Sequence, residues 1–231
     1  WSENILGVIF MKTVMKNTRC DIRKYKEEKA NFLTHYFGFL MAVIGFFFLI
    51  VYAKSTGSYL NLACCTIYGV SLLTLFGASS IYHYMSNKKW KRFFRRIDHL
   101  SIYLLIAGSY TPFTLINMKN NWGWHLFLTV WILTLVGFVM KIFFFGKYER
   151  FSVILYLLMG WLVIVAVKPL FSSIEISGFI WLFAGGIVYS LGVIFFVMDK
   201  KPYFHAIWHF FVLGGSFCHY IAIFFYVLPR T

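Results

Sequence analysis

The chain has 231 residues, of which 60% are hydrophobic, 22% aromatic and 13% charged, and its mean hydropathy is +0.72. A soluble domain carries about twice that share of charge, so composition excludes a water-soluble globular protein and requires an integral membrane protein. The formal net charge is +14, but the cations lie between apolar runs rather than along a solvated face. They are expected to set topology and to meet anionic lipid headgroups, with membrane lipid and not nucleic acid as the partner.

In chain order, residues 1–10 precede Met11 and Met15, two candidate start residues, and are set aside as upstream or non-native sequence. The short apolar run at 5–11 lacks the preceding basic residues of a signal peptide. Residues 1–31 are read as a cytoplasmic N-terminal segment. Seven apolar stretches then follow, at about 32–53, 61–84, 99–117, 124–143, 152–171, 178–198 and 205–228. Each is long enough to cross ~30 Å of hydrocarbon, and the connections are too short for a soluble domain. Residues 32–231 are therefore expected to form one all-α, seven-transmembrane-helix bundle.

Lys and Arg give the orientation. Of the 22, seven lie at 12–29, six at 88–96, three at 141–150 and two at 200–201, all on one side of the bundle. The other side holds only Lys54, Lys119, Lys168 and Arg230. This asymmetry predicts a cytoplasmic N-terminus and an outer C-terminus in a bacterial inner (plasma) membrane. Rhodopsin-like receptors run the other way. The seventh stretch has no Lys, which excludes a retinal Schiff base of the opsin kind. Cys20, Cys64, Cys65 and Cys218 contain no C-x-x-C pair and are read as packing residues.

The chemistry concentrates at one membrane level. His205 and His209 open the seventh stretch four residues apart, so a helix presents both imidazoles on one face. His83 ends the second stretch and Asp98 begins the third, both at the cytoplasmic end where His205 and His209 lie. Glu28, Asn31, Thr34 and His35 enter the first stretch near that level. Three imidazoles suit a tetrahedral zinc with a fourth position open for water, whose pKa such a metal lowers toward ~7. Asp98 is placed to hold that water or to orient a ligand ring. Ser79, one turn before His83, shares its face. The bland reading of an intramembrane His is a hydrogen bond between helices. That reading is given to His219, which lies too deep to share the metal. His125, beside Trp122 and Trp124, is read as interfacial, and His99 as facing away from its neighbour Asp98. Pro112, in the Ser109-Tyr110-Thr111-Pro112 run, is expected to kink the third helix, either for packing or to open a cavity.

Three blocks carry a family resemblance: Glu28-x-x-Asn31-x-x-Thr34-His35; Ser79-Ser80-Ile81-Tyr82-His83 with Asp98; and His205-Ala206-Ile207-Trp208-His209 through Gly215-Ser216 to His219-Tyr220. Together they resemble the hemolysin III group of the progestin and adipoQ receptor family. The resemblance implies a seven-helix bundle with its N-terminus inside and zinc near the cytoplasmic face. It implies His83, His205 and His209 as ligands, Asp98 reaching the metal through water, and Ser79 close by. The spacing from His83 to Asp98 is slightly shorter here than in the adiponectin-receptor branch. Wider relatives include alkaline ceramidases, which hydrolyse a lipid amide. Three functions stay open: a zinc hydrolase of a lipid amide or ester, with Asp98 and Ser79 as catalytic residues; a non-enzymatic sensor or homeostasis factor with structural zinc; and a cytolytic or channel-forming membrane protein. The apolar stretches hold almost no acid besides Asp98, so the channel ranks last.

Overall fold

The computed structural model describes the backbone of residues 2–118 and 121–228, and side chains over 21–118 and 122–228. The described residues are helical almost throughout and contain no strand. The elements are α1 (Ser2–Ser55), α2 (Tyr59–Tyr84), α3 (Lys88–Pro112), α4 (Asn121–Phe143), α5 (Glu149–Trp161), α6 (Val167–Ser173), α7 (Ile176–Val197) and α8 (Phe204–Ala222). Seven spans among the described residues are long and apolar enough to cross a bilayer. The fifth is composite: α5 and α6 are joined by the 3₁₀ segment Leu162–Ala166. The chain is thus a seven-span helical membrane protein, as its composition requires.

Local chemistry explains the boundaries. Gly57, with φ of 67°, adopts the left-handed turn that ends α1, where a Cβ would be strained. Ser58 then caps α2, its side chain accepting from Asn61 N at 3.3 Å. Asn87 caps α3 by accepting from Lys89 N at 2.9 Å and Trp90 N at 3.3 Å. That cap corrects one expectation. The basic run at 88–96 is not a connection but the first turns of α3. Its apolar residues Trp90, Phe93, Phe94 and Ile97 recur at helical spacing among the cations, an amphipathic pattern that an apolar-stretch reading passes over. Asp98 therefore lies about 15 Å inside the helix rather than at its start.

Pro112, which has no N–H to donate, is followed by the π-helical turn Phe113–Asn117, closed by Met118 N donating to Phe113 O at 3.1 Å. Thr111 and Thr114 hydroxyls donate back to Ala107 O and Tyr110 O at 2.8 and 2.9 Å.

Spans α2 and α3 sit at the centre of the bundle, and α7 faces outward over most of its surface. Close contact between α7 and α8 depends on Gly178, Gly185 and Gly192, one every seven residues. A Cβ on Gly185 would stand 2.3 Å from the His219 ring, and one on Gly192 would stand 2.6 Å from Phe211. With no aqueous hydrophobic drive between helices in lipid, this closeness of approach supplies the packing energy. His219 donates from Nε2 to Leu182 O at 3.2 Å, the interhelical bond expected for it. Cys64, Cys65 and Cys218 are free thiols, the first two buried; the Cys20 side chain lies outside the described residues.

Candidate metal centre

Helices α1, α2 and α8 meet at one end of the bundle. His83 occupies the last turn of α2 and His205 and His209 the first turns of α8. The residue before α8, Tyr203, is held at φ of 62°, a left-handed conformation that strains a non-glycine residue. This turn brings His205 back against the bundle. Ring centroids lie 5.2 Å apart for His83 and His205, 5.3 Å for His83 and His209, and 4.7 Å for His205 and His209. One ligand atom from each of the three falls within 4.8 Å of the others.

The hydrogen bonds show which atoms are free. The His83 Nδ1 atom is 2.9 Å from Glu28 Oε2. A carboxylate accepts, so Nδ1 carries the proton and Nε2 keeps its lone pair. The His209 Nδ1 atom lies 3.2 Å from Asn31 O, which also only accepts. It is 2.9 Å from Thr34 Oγ1, whose own proton goes to Ala30 O and Asn31 O. The His209 proton is therefore on Nδ1 as well. The three Nε2 atoms of His83, His205 and His209 are all buried without a hydrogen-bond partner. Three buried, unpartnered ring nitrogens at this distance cost about 1–3 kcal/mol each if left unfilled. They are the donor set that a tetrahedral or five-coordinate divalent ion takes, with room for further ligands. The residues present fit a metal, and they fit it with the oriented rings that metal histidines usually show.

Asp98 is buried, at 6% exposure, and lies beside Ser79 and His83. It is not one of the three-membered ligand group. Ser79 is fully buried, with its hydroxyl beside the Asp98 carboxylate. The ring of His99 points away, toward Phe145 and Phe196. Sequence reasoning placed Glu28, Asn31, Thr34 and His35 near this level without giving them work. In the structure Glu28 orients His83, also meeting Lys91 at 3.0 Å, while Thr34 and Asn31 orient His209. His35 is 1% exposed and stacks on His209 with centroids 3.5 Å apart and planes 19° from parallel. The signal was the spacing itself: 28, 31 and 35 advance by three and four, one face of α1.

Beneath the histidines a cavity of about 120 Å³ runs between α2, α3, α5, α7 and α8. Its lining is mostly apolar, including Leu75, Leu105, Val193 and Val212, with Tyr110, Ser109 and His219 deeper. Trp208 lines it and stands 5.1 Å from the His205 ring and 5.3 Å from the His209 ring. Trp208 is thus the wall shared by cavity and histidine cluster.

A family model described as Haemolysin-III related matches residues 23–220. The chain belongs to that family. It is 47% identical over 201 residues to the Hemolysin-3 homolog of Bacillus subtilis strain 168, covering 87% of this chain and 94% of that one. To the Hemolysin-3 of Bacillus cereus it is 44% identical over 206 residues, covering 89% and 94%. It is 31% identical over 207 residues to the human Monocyte to macrophage differentiation factor, covering 87% and 84%. All three sequence blocks lie inside the matched stretch, and the family resemblance they carry holds.

Proposed function

We propose that this haemolysin-III protein is a zinc-dependent hydrolase of a lipid amide or ester. The observation that carries the reading is the set of three orphaned Nε2 atoms placed one tryptophan away from a mostly apolar cavity. His83, His205 and His209 would hold the zinc, chosen over other metals because an all-imidazole set in a closed bundle suits it. When bound, zinc supplies a polarised carbonyl and a water of lowered pKa. The cavity walls hold an acyl chain and exclude bulk water. Asp98, buried beside His83, takes the proton from the attacking water and returns it to the leaving group. Ser79 keeps the Asp98 carboxylate on that side. The Lys and Arg asymmetry supports a cytoplasmic-face location for this chemistry in a bacterial plasma membrane.

One further reading has an observation in its favour. The cluster ties α2 to α8, and α1 joins through Glu28 and Thr34, so zinc would also serve as a structural staple in a non-enzymatic membrane sensor. The test combines metal analysis with turnover. Purified wild type is expected to carry one zinc per chain, and His209→Ala none. Asp98→Ala is expected to keep zinc and thermal stability while losing hydrolysis of amide or ester lipids in mixed micelles. Wild type that carries zinc yet turns over no such lipid would leave the staple reading standing and remove the hydrolase.

A further inference from the structure

Where the first turns of α3 meet the α4–α5 connection, we infer a second site, one that binds the phosphate of an anionic glycerophospholipid. Phe145, in the short connection from α4 to α5, gathers three cations. The Arg95 and Arg96 guanidinium carbons lie 5.5 and 5.6 Å from its ring centroid and Lys141 Nζ lies 5.7 Å away. No two of them can be more than about 11 Å apart. The aromatic face offsets part of their repulsion, but one acid serves all three. Glu149 is already engaged, its Oε2 with Lys141 and its Oε1 with Gly146 N at 3.2 Å. Lys141 is 3% exposed, so that pair is spent inside the fold. Among the described residues Arg95 and Arg96 make no ion pair and both are exposed. The His99 ring, 5.4 Å from Phe145, adds a buried Nδ1 with no hydrogen-bond partner. The two exposed guanidiniums of Arg95 and Arg96, each a fork of N–H donors, match the oxygens of one phosphate.

The surroundings select a lipid as its source. Ile142, Phe143, Phe151 and Ile154 are exposed on α4 and α5 around the same corner. They give the acyl chains of that lipid an apolar surface beginning where the cations end. Thermal unfolding serves as the control for folding.

The experiment is native mass spectrometry of the purified full chain titrated with phosphatidylglycerol or phosphatidylcholine. One phosphatidylglycerol is expected to be retained in preference to phosphatidylcholine. Each surface cation near a headgroup contributes roughly a fivefold factor, so R96Q is expected to weaken the preference about fivefold, and R95Q/R96Q about 30-fold. K88Q/K89Q, basic residues of the same helix away from Phe145, should leave it unchanged. Equal retention of the two lipids overturns the site. So does an equal loss in K88Q/K89Q, which would mark diffuse charge rather than a built pocket. Displacement of the lipid by excess inorganic phosphate would make free phosphate the ligand and overturn the lipid assignment.

Discussion

Replacing Glu28 with Gln tests whether α1 tunes the metal centre. The side chain keeps its size, and its amide oxygen can still accept from His83 Nδ1, now 2.9 Å from Oε2. What is lost is the charge. A hydrogen bond to an ionised group contributes about 1.5–3 kcal/mol and a neutral one about 0.5–1.5. The difference is about 1–1.5 kcal/mol. The Glu28 side chain is 31% exposed and shared with Lys91, so screening places the effect at the lower end, about 1 kcal/mol. Metal affinity is then expected to fall roughly five- to tenfold, at the weak end of the range for partners of metal-bound histidines. The assay is equilibrium competition for zinc against a chromophoric chelator in detergent, with thermal unfolding of the metal-free protein as control. Thr34→Val gives an internal comparison. His209 Nδ1 keeps Asn31 O at 3.2 Å, so the loss should be only about threefold. Wild-type affinity in Glu28→Gln, at unchanged metal-free stability, would refute the claim that α1 tunes the site.

His35→Phe keeps a ring against His209 and should retain the metal, whereas His35→Leu should bind it more weakly; equal affinity in the two variants would show that the 3.5 Å stack does not position His209. Gly185→Ala puts a Cβ 2.3 Å from the His219 ring, and the resulting overpacking should lower stability by about 1–3 kcal/mol, read as a fall in the thermal midpoint. Gly160→Ala, where a Cβ meets nothing within 4 Å, should leave the midpoint unchanged or raise it through helix propensity.

The seven spans were legible because a bilayer leaves few solutions. Backbone groups in hydrocarbon must be satisfied within each segment, so a run of about 20 apolar residues reads directly as a crossing. The histidine trio that could hold a metal was legible for a related reason: polar rings in such runs are costly, and His205 and His209 share a face by helix geometry alone. Less of the rest followed. The basic turns of α3 were hidden because amphipathic helix and charged connection look alike by mean hydropathy, and the Asn87 cap decides between them. The break at Leu162–Ala166 depends on packing, since propensity alone is a weak guide in a buried helix.

The sequence by itself determined the solvent, the number of crossings and the residue types available for a metal. Only the tertiary structure decided which nitrogen of His83 and of His209 is free. Glu28 is 55 residues from His83 along the chain, and Thr34 is 175 from His209. Which tautomer a histidine adopts is set by the partner across the helix interface, and no spacing within one helix can encode that partner.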